Sequence, residues 1–236
     1  MADKERHDLT HFDAIGDIHG CYYELIELVT KLGYVQGEDD LYRHPDGRKM
    51  VSLGDLCDRG WYNSICLQFI LAHWLAGEAE WVAGNHDNKL FRWMKGNPVR
   101  PSHGLQKTIT ELEQAWPFDM EREELGTYLL ENVPTRLFLD DGAVVAVHAS
   151  NGKHESDHLY GRRGGPDNER IPWWDTYEGP EFVVFGHYWM NDPEIREHWC
   201  CVDTSCVCGE DLTAMRWPER EIVSVKASQV YYEDDR

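Results

Sequence analysis

Five times in this chain an apolar run gives way to a polar loop that carries Asp, Asn or His, usually through a glycine. Phe12-Asp13-Ala14-Ile15 leads into Gly16-Asp17-Ile18-His19-Gly20, and Met50-Val51-Ser52-Leu53 leads into Gly54-Asp55-Leu56-Cys57-Asp58-Arg59-Gly60. Glu80-Trp81-Val82-Ala83 delivers Gly84-Asn85-His86-Asp87. Ala143-Val144-Val145-Ala146-Val147 ends at His148-Ala149-Ser150, and Phe182-Val183-Val184-Phe185 ends at Gly186-His187. Short apolar runs of this kind read as buried strands. A helix is predicted after the first, with Leu25, Leu28, Val29 and Leu32 on one face and Gly33 as its left-handed cap. Another runs through Ile65, Phe69, Ile70 and Trp74. The first ninety residues thus spell β-α-β-α-β, the pattern of parallel strands joined by crossover helices.

Strands buried in an α/β fold deliver their following loops to one edge of the sheet, where ligands bind. Five such loops bring together Asp17, His19, Asp55, Asn85, His148 and His187. Singly, a Gly-Asp is an ordinary turn, and a His after a strand is an ordinary hydrogen-bonded core residue. In series at strand exits they form a donor set of oxygens and imidazoles without thiolate, which suits Mn, Fe or Zn better than a structural zinc site. Six ligands exceed what one ion with an open position needs. Two ions sharing a carboxylate is the economical reading, and such a pair suits in-line displacement at phosphorus.

Composition narrows the partners. The 236 residues suit one domain, and 42% hydrophobic content with ten Trp supplies a full core. A net charge of −20 disfavours stable binding to nucleic acid or to a membrane surface. The hydrophilic N-terminus and the seven Cys without a disulfide-framework spacing predict a reduced, cytoplasmic setting. Residues 88 to about 140 read as a helical, cap-like insertion within a single domain spanning 1–236. Its first part, Asn88 to Thr110, holds Lys89, Arg92, Lys95, Arg100 and Lys107 and no acid. Those charges either balance acidic neighbours or sit beside an anionic substrate. Trp173 and Trp174 after Pro172 are read as core, with stacking on a base as the alternative. Cys200, Cys201, Cys206 and Cys208 are read as core rather than as a zinc site, with Cys206 and Cys208 on one face of a strand. The C-terminal part reads as antiparallel strands around a Trp217-Pro218-Glu219 turn.

The five motifs together resemble the signature of the phosphoprotein-phosphatase-type metallophosphoesterases. Lys89-Leu90, Gly96-Asn97-Pro98-Val99, His103-Gly104, Leu159-Tyr160-Gly161, Asp203-Thr204 and Leu212-Thr213-Ala214 to Pro218-Glu219 are similar to one bacterial branch. That branch holds the PrpE-type bis(5′-nucleosyl)-tetraphosphatases and the phosphatase domain of bacterial polynucleotide kinase-phosphatases. The resemblance covers nearly the whole chain.

It implies a four-layer α-β-β-α sandwich of the calcineurin-like metallophosphoesterase type. It implies one metal on Asp17, His19 and Asp55, and a second on Asp55, Asn85, His148 and His187, with Asp55 bridging. The two divalent ions would be Mn²⁺, with Fe, Ni or Zn as alternatives. His86 would protonate the leaving oxygen, oriented by Asp58, and Arg59 would grip the phosphate. A further phosphate-binding Arg falls on Arg170 by its spacing ahead of Trp173, with Arg162 as the alternative. Asp87 stands where the family often has Glu and would support the site rather than ligate. The implied activity is hydrolysis of bis(5′-nucleosyl) tetraphosphates by metal-bound hydroxide. Phosphoprotein dephosphorylation, nucleic-acid end processing and an idle metal-binding module are the other readings.

Overall fold

The computed structural model describes residues 8–164 and 168–233. The hydrophilic start of the chain, read above for targeting, lies mostly outside them. In chain order the first half runs β1 (Phe12–Ile15), α1 (Tyr22–Lys31), β2 (Val35–Gln36), β3 (Tyr42–Arg43), β4 (Lys49–Ser52), α2 (Asn63–Leu75), β5 (Ala79–Trp81), α3 (Asn85–Met94), α4 (Leu105–Gln114) and α5 (Arg122–Asn132). The second half runs β6 (Arg136–Leu139), β7 (Val144–Val147), α6 (Glu155–Tyr160), β8 (Arg163–Gly164), β9 (Glu169–Arg170), β10 (Phe182–Phe185), β11 (Glu194–Ile195), β12 (Trp199–Cys201), β13 (Asp211–Trp217) and β14 (Glu221–Lys226).

Two five-stranded sheets form, ordered β14-β13-β1-β4-β5 and β11-β12-β10-β7-β6. In the first, β1, β4 and β5 are parallel. In the second, β7, β10 and β12 are parallel. Alternation along each strand sorts the side chains into layers. Phe12, Ala14, Val51 and Met215 of the first sheet meet Val144, Ala146, Phe182 and Val184 of the second in the core between them. Ile15, Met50, Trp81 and Ala214 turn the other way and pack on α1, α2 and the helices of the 88–140 segment. The buried face of α1 carries the expected Leu25, Leu28 and Val29, and Gly33 follows at φ +101°.

The fourth layer differs from long helices laid over a sheet. The outer face of the second sheet, with Val145, Val147, Val183, Phe185 and Cys201, is covered by Trp173, Trp174, Tyr177 and Tyr188. Trp173 lies in a single short 3₁₀ turn, donates its indole N–H to Ala149 O at 2.9 Å and packs on Phe185 at 4.9 Å between ring centroids. Large rings supply, from few residues, the apolar area that a helix would otherwise bring. The core role expected for Trp173 and Trp174 agrees with this packing.

One buried acid holds the far end of the first sheet together. Asp13, on β1, accepts from Arg48, from Arg216 of β13 and from Tyr34. Arg48 also donates to the carbonyls of Phe12 and Trp217, so its guanidinium is satisfied although buried. This cluster fixes β1 between its neighbours at the end opposite the metal-type donors.

The cysteines of the C-terminal part do not share one site. Cys200 faces the core between the sheets, Cys201 faces the aromatic layer, and Cys206 packs on the helical side against Cys21. The segment from Cys206 to Cys208 is a 3₁₀ turn and not the expected strand, bounded by Ser205 at φ +57° and Gly209 at φ +93°. A strand cannot run through two flanking left-handed residues.

Candidate active site

The parallel strands of both sheets end at one edge, and the donor residues follow them. Asp17 and His19 follow β1, Asp55 follows β4, Asn85 and His86 open α3 after β5, His148 follows β7 and His187 follows β10. The turns that carry them are tight. His19, Asp55, Asp58, Arg59 and His187 all adopt positive φ, between +44° and +76°. Non-glycine residues held there are strained, and such strain clusters where a site over-determines its backbone. Gly84 allows a close approach, since a Cβ at this position would collide with the Asp55 carboxylate.

The hydrogen-bond pattern fixes the state of the imidazoles. His19 Nδ1 donates to Cys57 O at 2.7 Å, and His148 Nδ1 donates to Leu53 O at 2.9 Å. Their Nε2 lone pairs therefore point into the cleft. His148 Nε2 faces Asn85 Oδ1 at 3.2 Å, His187 Nδ1 at 3.1 Å and Asp55 Oδ1 at 3.4 Å. His19 Nε2 faces Asp55 Oδ2 at 3.5 Å. Asp55 thus turns one oxygen to each group, and its backbone partner His86 N holds it at 2.9 Å.

Acceptors meeting acceptors in a buried place repel unless a cation lies among them. Ligands at about 2.1 Å from a tetrahedral or octahedral ion stand about 3.0–3.4 Å apart, which matches these separations. His187 Nε2 is buried without a hydrogen-bond partner, so no second bond dictates the tautomer of that ring. The donor set and its spacing therefore fit two divalent ions.

Electrostatics agree. Burial, then Asp203 and Asp55, pushes the Asp17 carboxyl well above the usual range, and burial also raises Asp55. Burial holds His19 and His187 well below the ordinary imidazole value, and takes His148 down to about 4. Neutral imidazoles beside crowded carboxylates are what a cation needs and what its absence penalises.

His86 stands apart from the donors. Its Nδ1 lies 2.6 Å from Asp58 Oδ2, and Asp58 is in turn bonded to Thr108 Oγ1 and through its own N–H to the same hydroxyl. Burial takes His86 down to about 4 and Asp58 up to about 7. A lone imidazolium is therefore not what this site favours. The neutral pair holds two protons, and one of them leaves near pH 7 whichever side of the bond it rests on.

The cleft is a cavity of about 630 Å³ whose wall includes Asp17, His19, Asp55, Asn85, His86 and His187. His148 and Asp58 lie fully buried beneath it. Arg59 reaches in, with Nη1 2.8 Å from His19 Nε2 and Nη2 3.3 Å from His86 Nε2. Arg170 lines the wall, and Arg163 does too, but Arg162 does not. Arg163 and Arg170 are register partners of the β8–β9 ribbon, so the residue before Arg163 points elsewhere. Of the basic residues in the 88–110 stretch, Lys89 is the one that lines the cavity, bonded to Ser102.

Two residues were not assigned to the site from the sequence, although Asp203 stood among the branch features. Asp203 also lines the cavity, at the end of the run Trp199-Cys200-Cys201-Val202 after β12. That run obeys the rule of the other five and is a sixth instance of it. Thr108 sits on α4, fifty residues from Asp58 in sequence, and carried no signal.

Asp87 is a support. Its Oδ2 accepts from the amides of Asp55 and Gly84 at 2.8 and 2.9 Å, and its Oδ1 accepts from Leu56 N at 3.0 Å. It stitches the loop after β4 to the loop after β5. Asp87→Asn turns an N–H group onto one of these amides. Urea denaturation of the metal-free protein is expected to show a loss of about 1–3 kcal/mol, and a change below about 0.5 kcal/mol contradicts this role.

Comparison with known proteins completes the description. The family model for calcineurin-like phosphoesterases matches residues 10–191. The chain is 38% identical to the bis(5′-nucleosyl)-tetraphosphatase PrpE [asymmetrical] of Anoxybacillus flavithermus, over 93% of this chain and 96% of that one. It is also 38% identical to the protein of that name from Bacillus subtilis, over 94% and 97%. A solved structure described as a candidate diadenosine tetraphosphatase shares the fold, with a TM-score of 0.69 at 24% identity over 93% of this chain and 94% of that one. The chain belongs to the calcineurin-like metallophosphoesterases, hydrolases of phosphoric ester or anhydride bonds.

Proposed function

We propose that this chain hydrolyses bis(5′-nucleosyl) tetraphosphates with two divalent transition-metal ions, Mn²⁺ foremost. Asp17, His19 and Asp55 would hold one ion, and Asp55, Asn85, His148 and His187 the other. The observation that carries the reading is the convergence of buried acceptors, at 3.1–3.5 Å, on the floor of a cavity whose upper wall is basic. In a chain of net charge −20, Arg59, Lys89, Arg163 and Arg170 around one opening suit a ligand more anionic than the protein. The activity that names the PrpE relatives supports a dinucleoside tetraphosphate as that ligand. Oxygen and imidazole donors without thiolate support Mn, with Fe, Ni or Zn able to occupy the same set.

Two ions so placed supply an activated water near neutral pH and neutralise phosphoryl oxygens. The protein's own residues do the rest. Arg59 offers a planar fork between His19 and His86, where it can grip a phosphoryl group. The His86–Asp58 pair carries a proton that leaves near pH 7, and His86 Nε2 faces the cleft to give it to the leaving oxygen. Thr108 holds Asp58, so α4 sets the position of the acid from the 88–140 segment, which acts as a cap. An idle metal-binding module has no use for this relay, because none of its members is needed to hold an ion. Seven free cysteines, six of them buried, support a reducing, cytoplasmic setting. Among the described residues no helix is long and apolar enough to cross a membrane.

Two measurements check this. With Mn²⁺, His86→Ala is expected to lower kcat on diadenosine tetraphosphate by about 10²–10⁴-fold while two ions per chain remain bound. Activity within about tenfold of wild type removes the acid role, and loss of an ion along with activity makes His86 a ligand instead.

The second concerns protons. Without an ion, the raised carboxyls of Asp17 and Asp55 hold their protons to higher pH than ordinary carboxyls, and the lowered imidazoles stay neutral further into acid. A cation expels such carboxyl protons, so binding on the acid side of neutrality releases protons and apparent affinity rises with pH. Calorimetric titration of Mn²⁺ in buffers of different ionisation enthalpy reads this directly. Binding heats that do not vary with the buffer contradict it.

A further inference from the structure

We infer that Trp189 and Tyr160 form a nucleobase-stacking wall on one side of the cavity, and that Trp189 sets the preference for nucleotide over simple phosphoesters. The inference rests on the proposed dinucleoside tetraphosphate activity and locates the base within that site. Both rings line the same cavity as the metal-type donors, and both are open to it, at 42% and 40% exposed. Trp173 and Trp174, the pair that drew attention in the sequence, are committed to the layer over the second sheet. They are not among the residues that line the cavity.

The two rings are held in place by backbone and not by chance. Gly161, directly after Tyr160, takes φ +72° and lies so close to the Tyr188 hydroxyl that a Cβ could not fit between them. That contact locks the end of α6 onto the loop that carries Trp189. Met190 N donates to Asp203 O at 3.0 Å, and Tyr188 N donates to Gly186 O at 2.7 Å, which ties the same loop to the floor of the site on both sides of Trp189. Arg163 and Arg170, paired across the β8–β9 ribbon, line the same cavity as the rings and the donors. The Arg170 guanidinium lies 5.7 Å from the Tyr188 ring centroid, a cation–π contact that fixes its direction. A ligand that fits an aromatic wall, two guanidiniums and a two-ion floor in one cavity has a flat π-system joined to several phosphates, which is a nucleoside polyphosphate. Stacking reads the π-face and not the hydrogen-bonding edge, so the wall accepts any base and prefers purines for their area.

The test compares two substrates on the Mn²⁺-loaded enzyme. The ratio of kcat/KM for diadenosine tetraphosphate to that for p-nitrophenyl phosphate is expected to fall about 5–30-fold in Trp189→Ala. In Trp189→Phe it is expected to recover to within about threefold of wild type, since a ring is restored. A ratio that stays within about twofold of wild type in Trp189→Ala overturns the inference. An independent readout is quenching of tryptophan fluorescence by AMP. It is expected in wild type and lost in Trp189→Phe, and a full quench retained in that variant also overturns the inference. If wild type hydrolyses p-nitrophenyl phosphate but not diadenosine tetraphosphate, the substrate reading fails, and the AMP quench still decides whether Trp189 stacks on a base.

Discussion

Everything at the working edge of this molecule depends on one arrangement that is unfavourable by itself. Asp55 turns one carboxylate oxygen toward His19 Nε2 at 3.5 Å and the other toward His148 Nε2 at 3.4 Å, in a place almost closed to water. Neither imidazole has a proton to give these oxygens, because both spend theirs on backbone carbonyls. Cations are the remedy that physics allows, and a shared carboxylate between two donor groups asks for two of them. The strained loops and the raised and lowered pKa values express the same demand.

The fold exists to bear that demand. Parallel strands from two sheets point their exits the same way, so residues from 17 to 203 converge without a long loop. The apolar core between the sheets and the Asp13–Arg48–Arg216 cluster at the far end keep the strands from sliding. Asp87 then joins two of the loops through three amides, and Thr108 reaches from the helical segment to set Asp58. Rigidity so distributed lets the floor of the site hold its geometry beneath a rim that carries Arg163, Arg170, Tyr160 and Trp189.

How much of this was legible in the sequence follows from which contacts are local. The six donors stand immediately after apolar runs, so period and position alone located them, and the parallel β-α-β-α-β start came with them. Asp203 obeys the same rule, but the Cys-rich run Trp199-Cys200-Cys201-Val202 drew attention to its thiols instead. Thr108 was not legible, since nothing in an amphipathic helix tells which polar residue will meet an acid fifty positions away. Arg170, the first choice for the further phosphate-binding Arg, lines the cavity, and its alternative Arg162 does not. Arg163, which the sequence did not single out, does, because in a two-residue ribbon a shift of one residue turns a side chain to the other face. The α-β-β-α sandwich came from the resemblance, and the two packed sheets with their helices agree with it; over the second sheet a 3₁₀ turn and aromatic rings supply the covering area.

The most direct test of the central claim is electron paramagnetic resonance of the protein titrated with Mn²⁺. Two ions joined by the Asp55 carboxylate give an exchange-coupled, multiline spectrum at a stoichiometry of two per chain, and that spectrum collapses when Asp55 is replaced by Asn. Saturation at one ion, or two ions with the six-line pattern of isolated Mn²⁺, would contradict the shared site on which the account rests.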